Sequence, residues 1–246
     1  MLFRSRIGLG EEQRALDNAQ KFARYFGSDP QRRRDAANVV FSIGQIYTDR
    51  VARLRRQPVA NGDERRQRDL QIRTAWSDVI RHYSNYMRVY AAQGTPDQKI
   101  QGAVALARGY WNIDNFPLAI STYQQAMTAW GSGEHPEGEA AIRRELDDAI
   151  ENDAVEKSKE AAAEARFYIA EQLYQRFRAR RLPQFRGSGR RAYDQWVQRT
   201  LTPFIQEQIR FLREEATRQY TEVVNMHVPN WEVAAYARLA DMFYQF

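Results

Sequence analysis

Apolar residues recur at helical spacing along almost the whole chain, and the interruptions of that rhythm mark its elements. A first helix is predicted over 12–27, ended by Gly27 and Pro30, and a second over about 35–55. Pro58 and Asn61-Gly62 supply turn chemistry before a long helix, about 66–92, which Gly94, Thr95 and Pro96 close. Thr95 stands where it can cap a helix over 97–112, and the turn from Asn112 to Asn115 leads into another over 116–130. Gly131, Gly133 and Pro136 then punctuate. A long polar helix is predicted over 138–181 and a loop over 182–189. The last two helices are expected over 190–227, with Pro203 as an interruption, and over 230–245. No segment alternates with the period of a strand, so the expected fold class is all-α.

Fixed offsets reveal repetition. In AVALARGYWNIDNFPLAISTYQQAMTAW, counted from Ile100 as position 1, Leu106, Ala107 and Tyr110 take positions 7, 8 and 11, and Ala119, Tyr123 and Ala126 take 20, 24 and 27. This large, small, aromatic order followed by small, aromatic, small is that of the tetratricopeptide repeat, a helical hairpin of about 34 residues. Its small residues let two antiparallel helices approach closely while the large ones fill the space toward the next pair. The first-helix half returns as Ile43, Gly44 and Tyr47, as Ile169, Ala170 and Leu173, and as Leu239, Ala240 and Phe243; a second-helix half appears as Ala216, Tyr220 and Val223, with Pro229 behind it. The chain therefore resembles the tetratricopeptide-repeat superfamily. The expectation is a tetratricopeptide-like solenoid of helical hairpins with irregular long helices, the alternative being an irregular helical bundle. Residues 1–133 would form N-terminal repeats, and 134–246 a long charged helix with C-terminal repeats, continuous with the first as one solenoid. AANVVFSIGQIY, EAAAEARFYIAEQLYQRF and the ending YTEVVNMHVPNWEVAAYARLADMFYQF are, more narrowly, similar to myxobacterial (deltaproteobacterial) tetratricopeptide proteins of the cell envelope, some linked to gliding motility.

That resemblance implies a protein-binding scaffold. In the resembled family, positions 2, 5, 9 and 12 of the first helices line a groove for a segment of another protein. Here those positions are Asn38, Phe41, Gln45 and Thr48; Gln101, Val104, Arg108 and Trp111; Glu164, Phe167, Glu171 and Tyr174; and Ala234, Ala237, Asp241 and Tyr244. Aromatic anchors beside amides and charges suit a peptide. The alternative is that Phe41, Val104 and Phe167 pack between repeats. The last helix matches a first helix with no second one behind it, which suggests further chain in the natural gene, a partner docked there, or self-association through that end.

Composition narrows the chemistry. The 246 residues include no cysteine, which excludes a disulfide framework, a zinc ribbon, a thiolate iron–sulfur site and a cysteine nucleophile. The three histidines are far apart, and Glu134, His135 and Glu137 fall in a turn, so no metal site is expected. No phosphate loop, dinucleotide fingerprint or nucleophile elbow occurs. The expectation is no enzyme, no catalytic residue, no cofactor and no small-molecule substrate. The net charge of +6 is uneven: eleven acidic and four basic residues between Glu134 and Glu164 give −7, leaving +13 elsewhere. Seven arginines and no acid lie between Arg176 and Arg191, and Arg186, Arg190 and Arg191 could cradle an anion around Gly187-Ser188-Gly189. Anion or nucleic-acid binding through Arg-rich faces is thus the alternative function. No stretch approaches the roughly 20 apolar residues of a membrane span. The opening MLFRSRIGLG lacks the apolar core of a signal peptide, so a cytoplasmic place is expected if the chain is complete, against the periplasmic or envelope place that the resemblance implies.

Overall fold

A computed structural model describes residues 12–27, 29, 31–133 and 135–245; the opening MLFRSRIGLG, Pro30 and Glu134, named above, lie outside the described residues. Those residues are all-α, with no strand among them. The chain divides into two compact units, Met1–Ala162 and Ala163–Phe246. The division falls inside a helix and not at the glycine turn of 131–133, where composition had placed it. Glycine punctuates local chain direction, whereas a unit boundary depends on which side chains share a core.

Unit one contains α1 (Glu12–Phe26), α2 (Arg33–Arg56), α3 (Gly62–Asn85), α4 (Pro96–Asn112), α5 (Phe116–Trp130) and α6 (Glu137–Glu145). Helix α3 begins four residues before the predicted start because Asn61 caps it, accepting from Glu64 N at 2.9 Å, while the Glu64 carboxylate accepts from Ala60 N at 2.8 Å. At its other end it runs into a π turn, Tyr86–Tyr90, closed by Ala91 N donating to Tyr86 O at 2.9 Å. That turn keeps Tyr86 inside the core beside Phe41 and Tyr83. Gly44 of α2 is required by this packing: a Cβ there would lie 2.4 Å from the Tyr83 ring. Helices α4 and α5 form a hairpin whose turn uses Asp114 at φ 66° and whose second helix is capped by Asn115, accepting from Leu118 N at 3.5 Å. Ala107, Ala119, Tyr123 and Ala126 are all fully buried.

The single polar helix predicted over 138–181 is two. Leu146 is extended (φ −108°, ψ 151°), and the Asp147 carbonyl accepts from Ile150 N and Glu151 N to open α7 (Asp148–Ala179). Arg143 spans the break, bonding Glu139 at 2.8 Å and also Glu151. The first half of α7 belongs to unit one and the second half to unit two.

Unit two continues with α8, helical from Arg190 to Val224, with π turns at Val197–Leu201 and Phe211–Ala216, and ends with α9 (Pro229–Gln245). Pro203 does not interrupt α8. It lies in the first turn of Thr202–Arg210, directly after a π turn, which shifts the carbonyls that a proline ring would otherwise strike. Phe167, Ala170, Tyr174 and Phe177 from α7 pack with Phe211, Leu212, Ala216, Tyr220 and Val223 from α8, and with Ala235 and Met242 from α9.

Candidate functional site

The sixteen groove positions do not share one environment. On α2, Phe41 is buried in the aromatic core, Asn38 accepts from Gln98 Nε2 at 2.9 Å, and Gln45 and Thr48 are half-buried, the Gln45 carbonyl taking the Thr48 hydroxyl at 2.8 Å. On α4, Val104 is buried and Gln101 donates to Ser158 Oγ of α7 at 3.4 Å. Arg108 and Trp111 are half-buried, with the Trp111 ring edge-on to Phe116 at 4.9 Å.

In unit two the same positions build an internal lock. Glu171, which is 4% exposed, accepts from Arg238 Nε at 2.6 Å and Nη2 at 3.0 Å, and from the Tyr220 hydroxyl at 2.9 Å. The Arg238 guanidinium lies 4.1 Å from the Tyr174 ring centroid, and the Tyr174 hydroxyl donates to Asp241 Oδ2 at 2.5 Å. Burial, and then the neighbouring Glu171 carboxylate, push the Tyr220 hydroxyl far above the ordinary phenol range, so it stays a donor. The Tyr174 bond, with a second from Gln245, holds Asp241 below the usual carboxylate range. Burial opposes the charge of Arg238 most strongly of any single influence, but the hydrogen bonds to Glu171, together with that carboxylate's charge and the neighbouring tyrosines, raise its pKa. Phe167 is buried against Trp231 at 5.2 Å, and Glu164 is buried and has partners. Of this group, Ala237 and Tyr244 are exposed and Ala234 is half-buried.

One of the clefts in unit one, of about 410 Å³, is lined by Arg55, Arg68, Asp69, Ile72, Arg73, Trp76 and Asn112. Arg55, near the end of α2, bonds the Asn112 side chain at the end of α4, and its guanidinium lies 5.4 Å from the Trp76 ring centroid. Arg68 donates to Gln57 O at 3.2 Å and faces Asp69 at 3.5 Å, yet its Nε is buried without a partner. The Trp76 indole N–H is likewise buried and unpartnered among the described residues. Two donor groups without acceptors, three guanidinium groups and one carboxylate define an acceptor-poor, cationic wall with an apolar floor at Ile72 and Trp76. None of these residues was singled out by sequence as part of a site. In a chain whose 37 basic residues include only four lysines, one more arginine carries no signal of its own.

The anion candidates Arg186, Arg190 and Arg191 are all exposed, and Gly189 takes φ 84° at the start of α8. Phe185, Tyr193 and Trp196 stand among them with ring centroids 5.4 to 5.8 Å apart. Among the described residues no group of three His, Asp or Glu side chains is placed to hold a metal ion, and no helix is long and apolar enough to cross a membrane.

No known family model matches the chain, and no curated protein matches it.

Proposed function

We propose that this protein is a non-enzymatic scaffold for protein–protein interaction, a tetratricopeptide-like array of helical hairpins that holds an acidic segment of a partner. The observation that carries the reading is the α4–α5 hairpin, whose small and aromatic pattern residues Ala107, Ala119, Tyr123 and Ala126 have no exposed surface. Hairpins packed through small residues build surfaces, and one surface beside this hairpin, reaching Asn112 at the end of α4, is the cleft of Arg55, Arg73 and Trp76. Its charge matches the carboxylates of such a segment, while Ile72 and the Trp76 ring match an apolar anchor beside them. The setting in a cell-envelope or motility complex rests on the sequence resemblance alone.

Capture of partners from the natural source by purified wild-type chain and by an Arg55→Ala/Arg73→Ala double variant tests the proposal. Both arginines are exposed, so the variant keeps its fold while its captured partner is lost. Equal capture by both proteins would exclude the cleft. A second reading, nucleic-acid binding, is favoured by one observation, the aromatic trio of Phe185, Tyr193 and Trp196 among exposed arginines.

A further inference from the structure

Unit two concentrates positive charge where α7 gives way to α8. From Arg176 to Gln206 there are eight arginines and one acid, Asp194. Arg176 and Arg180 are answered by Glu215 at 3.4 Å and Glu207 at 3.5 Å, and the Arg178 guanidinium lies 5.9 Å from the Tyr174 ring centroid. The other five, Arg181, Arg186, Arg190, Arg191 and Arg199, are exposed and pair with no acid among the described residues. Their charge is left for an anion from outside the unit.

Apolar surface sits in the same segment. The Phe185 ring packs against Tyr193 and Trp196 at interplanar angles of 89° and 53°, and those two rings, one turn apart on α8, meet at 36°. Gly187 lets the loop close over this group, since a Cβ there would lie 2.8 Å from the Phe185 ring. The three rings therefore form one knob, held by the loop on one side and the first turns of α8 on the other. It is not covered: Tyr193 is 47% exposed, and Leu182 of the same loop is 63% exposed.

We infer that this segment docks on an anionic phospholipid surface, with the five free arginines at the headgroup phosphates and the knob and Leu182 at the boundary of headgroups and acyl chains. Charge sets the sign of the partner, and the apolar groups set its class. A nucleic acid would also answer the arginines, but base stacking needs open ring faces, and these rings spend part of theirs on one another. Leu182 offers a base no hydrogen bond, whereas an aliphatic side chain beside aromatic rings and arginines is what an interface between water and lipid takes up. The inference goes beyond the scaffold reading and does not depend on it, because none of these residues lines the cleft.

The test is sedimentation of the full chain with vesicles of phosphatidylcholine carrying about one-third phosphatidylglycerol, at about 100 mM salt. Binding is expected, and it should weaken about tenfold or more both on phosphatidylcholine alone and in an Arg186→Gln/Arg190→Gln/Arg191→Gln variant whose fold is checked by circular dichroism. Acyl chains brominated near the headgroup should quench the tryptophan fluorescence of the bound wild type. Trp196→Phe, which keeps an apolar ring in the knob, should still bind but lose that quenching. Vesicle binding that is absent, that ignores the arginine changes, or that quenches Trp196→Phe equally overturns the inference. Where vesicles do not bind, a single-stranded oligonucleotide held through the same arginines makes nucleic acid the occupant, and a lipid-free dimer abolished by the arginine changes makes a second copy the occupant.

Discussion

His82 of α3 donates from Nε2 to Val40 O of α2 at 2.7 Å, a bond that the neutral ring makes with its single proton on that nitrogen. Burial lowers its pKa below the ordinary 6.5, against the opposing pull of the Val40 carbonyl. The unfolded chain therefore takes up a proton near pH 6.5 that the folded chain refuses, so the stabilisation is present above that pH and lost as pH falls toward the folded value. Urea unfolding of unit one between pH 7 and about 5.5, above the ordinary carboxylate range, should show this decline, and His82→Gln should flatten it. An unchanged slope in the variant would assign the decline elsewhere. In unit two, Glu171→Gln keeps the volume but strips the charge facing Arg238, and should cost about 2 to 3 kcal/mol in urea unfolding; a loss under about 0.5 kcal/mol would mean the lock is solvated. That Glu171 and Tyr174 lie on one helix was legible from spacing. Their partners were not, because Tyr220 lies 49 residues from Glu171, and Arg238 and Asp241 each lie 67 residues from the residue they bond. Spacing along one helix cannot say whether a position faces solvent or a helix that arrives later in the chain.

Helices are where the sequence speaks most clearly, because apolar period and caps are local properties. The α4–α5 pair, its turn at Asp114 and its Asn115 cap follow the expected bounds closely. The break at Leu146 and Asp147 was hidden, since the charged residues around it continue a helical pattern and the capping carbonyl of Asp147 leaves no mark in composition. The π turns of α8 were equally silent: an extra residue per turn moves side chains around the helix without changing their kind. Close packing makes the hairpin sensitive to volume. Ala107→Leu and Ala119→Leu should each lower stability by roughly 1 to 3 kcal/mol through overpacking, and Gly44→Ala should do likewise where a Cβ would strike the Tyr83 ring. Thermal unfolding monitored by circular dichroism checks all three, and unchanged midpoints would show that these helices separate easily.

For the whole molecule, net charge is the least informative number. The +6 total divides into an acidic stretch of −7 and a remainder of +13, which includes the cleft arginines Arg55, Arg68 and Arg73 and the exposed Arg186, Arg190 and Arg191 around the start of α8. Both sites are cationic, but they differ in what surrounds the charge. The cleft pairs its guanidinium groups with a buried indole and unpaired donors, whereas the loop offers arginines and aromatic rings at the surface. A short acidic peptide engaging the cleft makes few ion pairs and keeps its apolar contact, while a nucleic acid on the loop releases many counterions. The direct test is fluorescence anisotropy with two labelled probes on the full chain, an acidic peptide bearing one leucine or phenylalanine and a single-stranded oligonucleotide, at 50 and 200 mM salt. The scaffold reading predicts that the peptide binds, weakens less than about tenfold across that range, and is lost with Arg55→Ala/Arg73→Ala. Failure of the peptide to bind, together with oligonucleotide binding that falls by about tenfold or more over the same range, would contradict it.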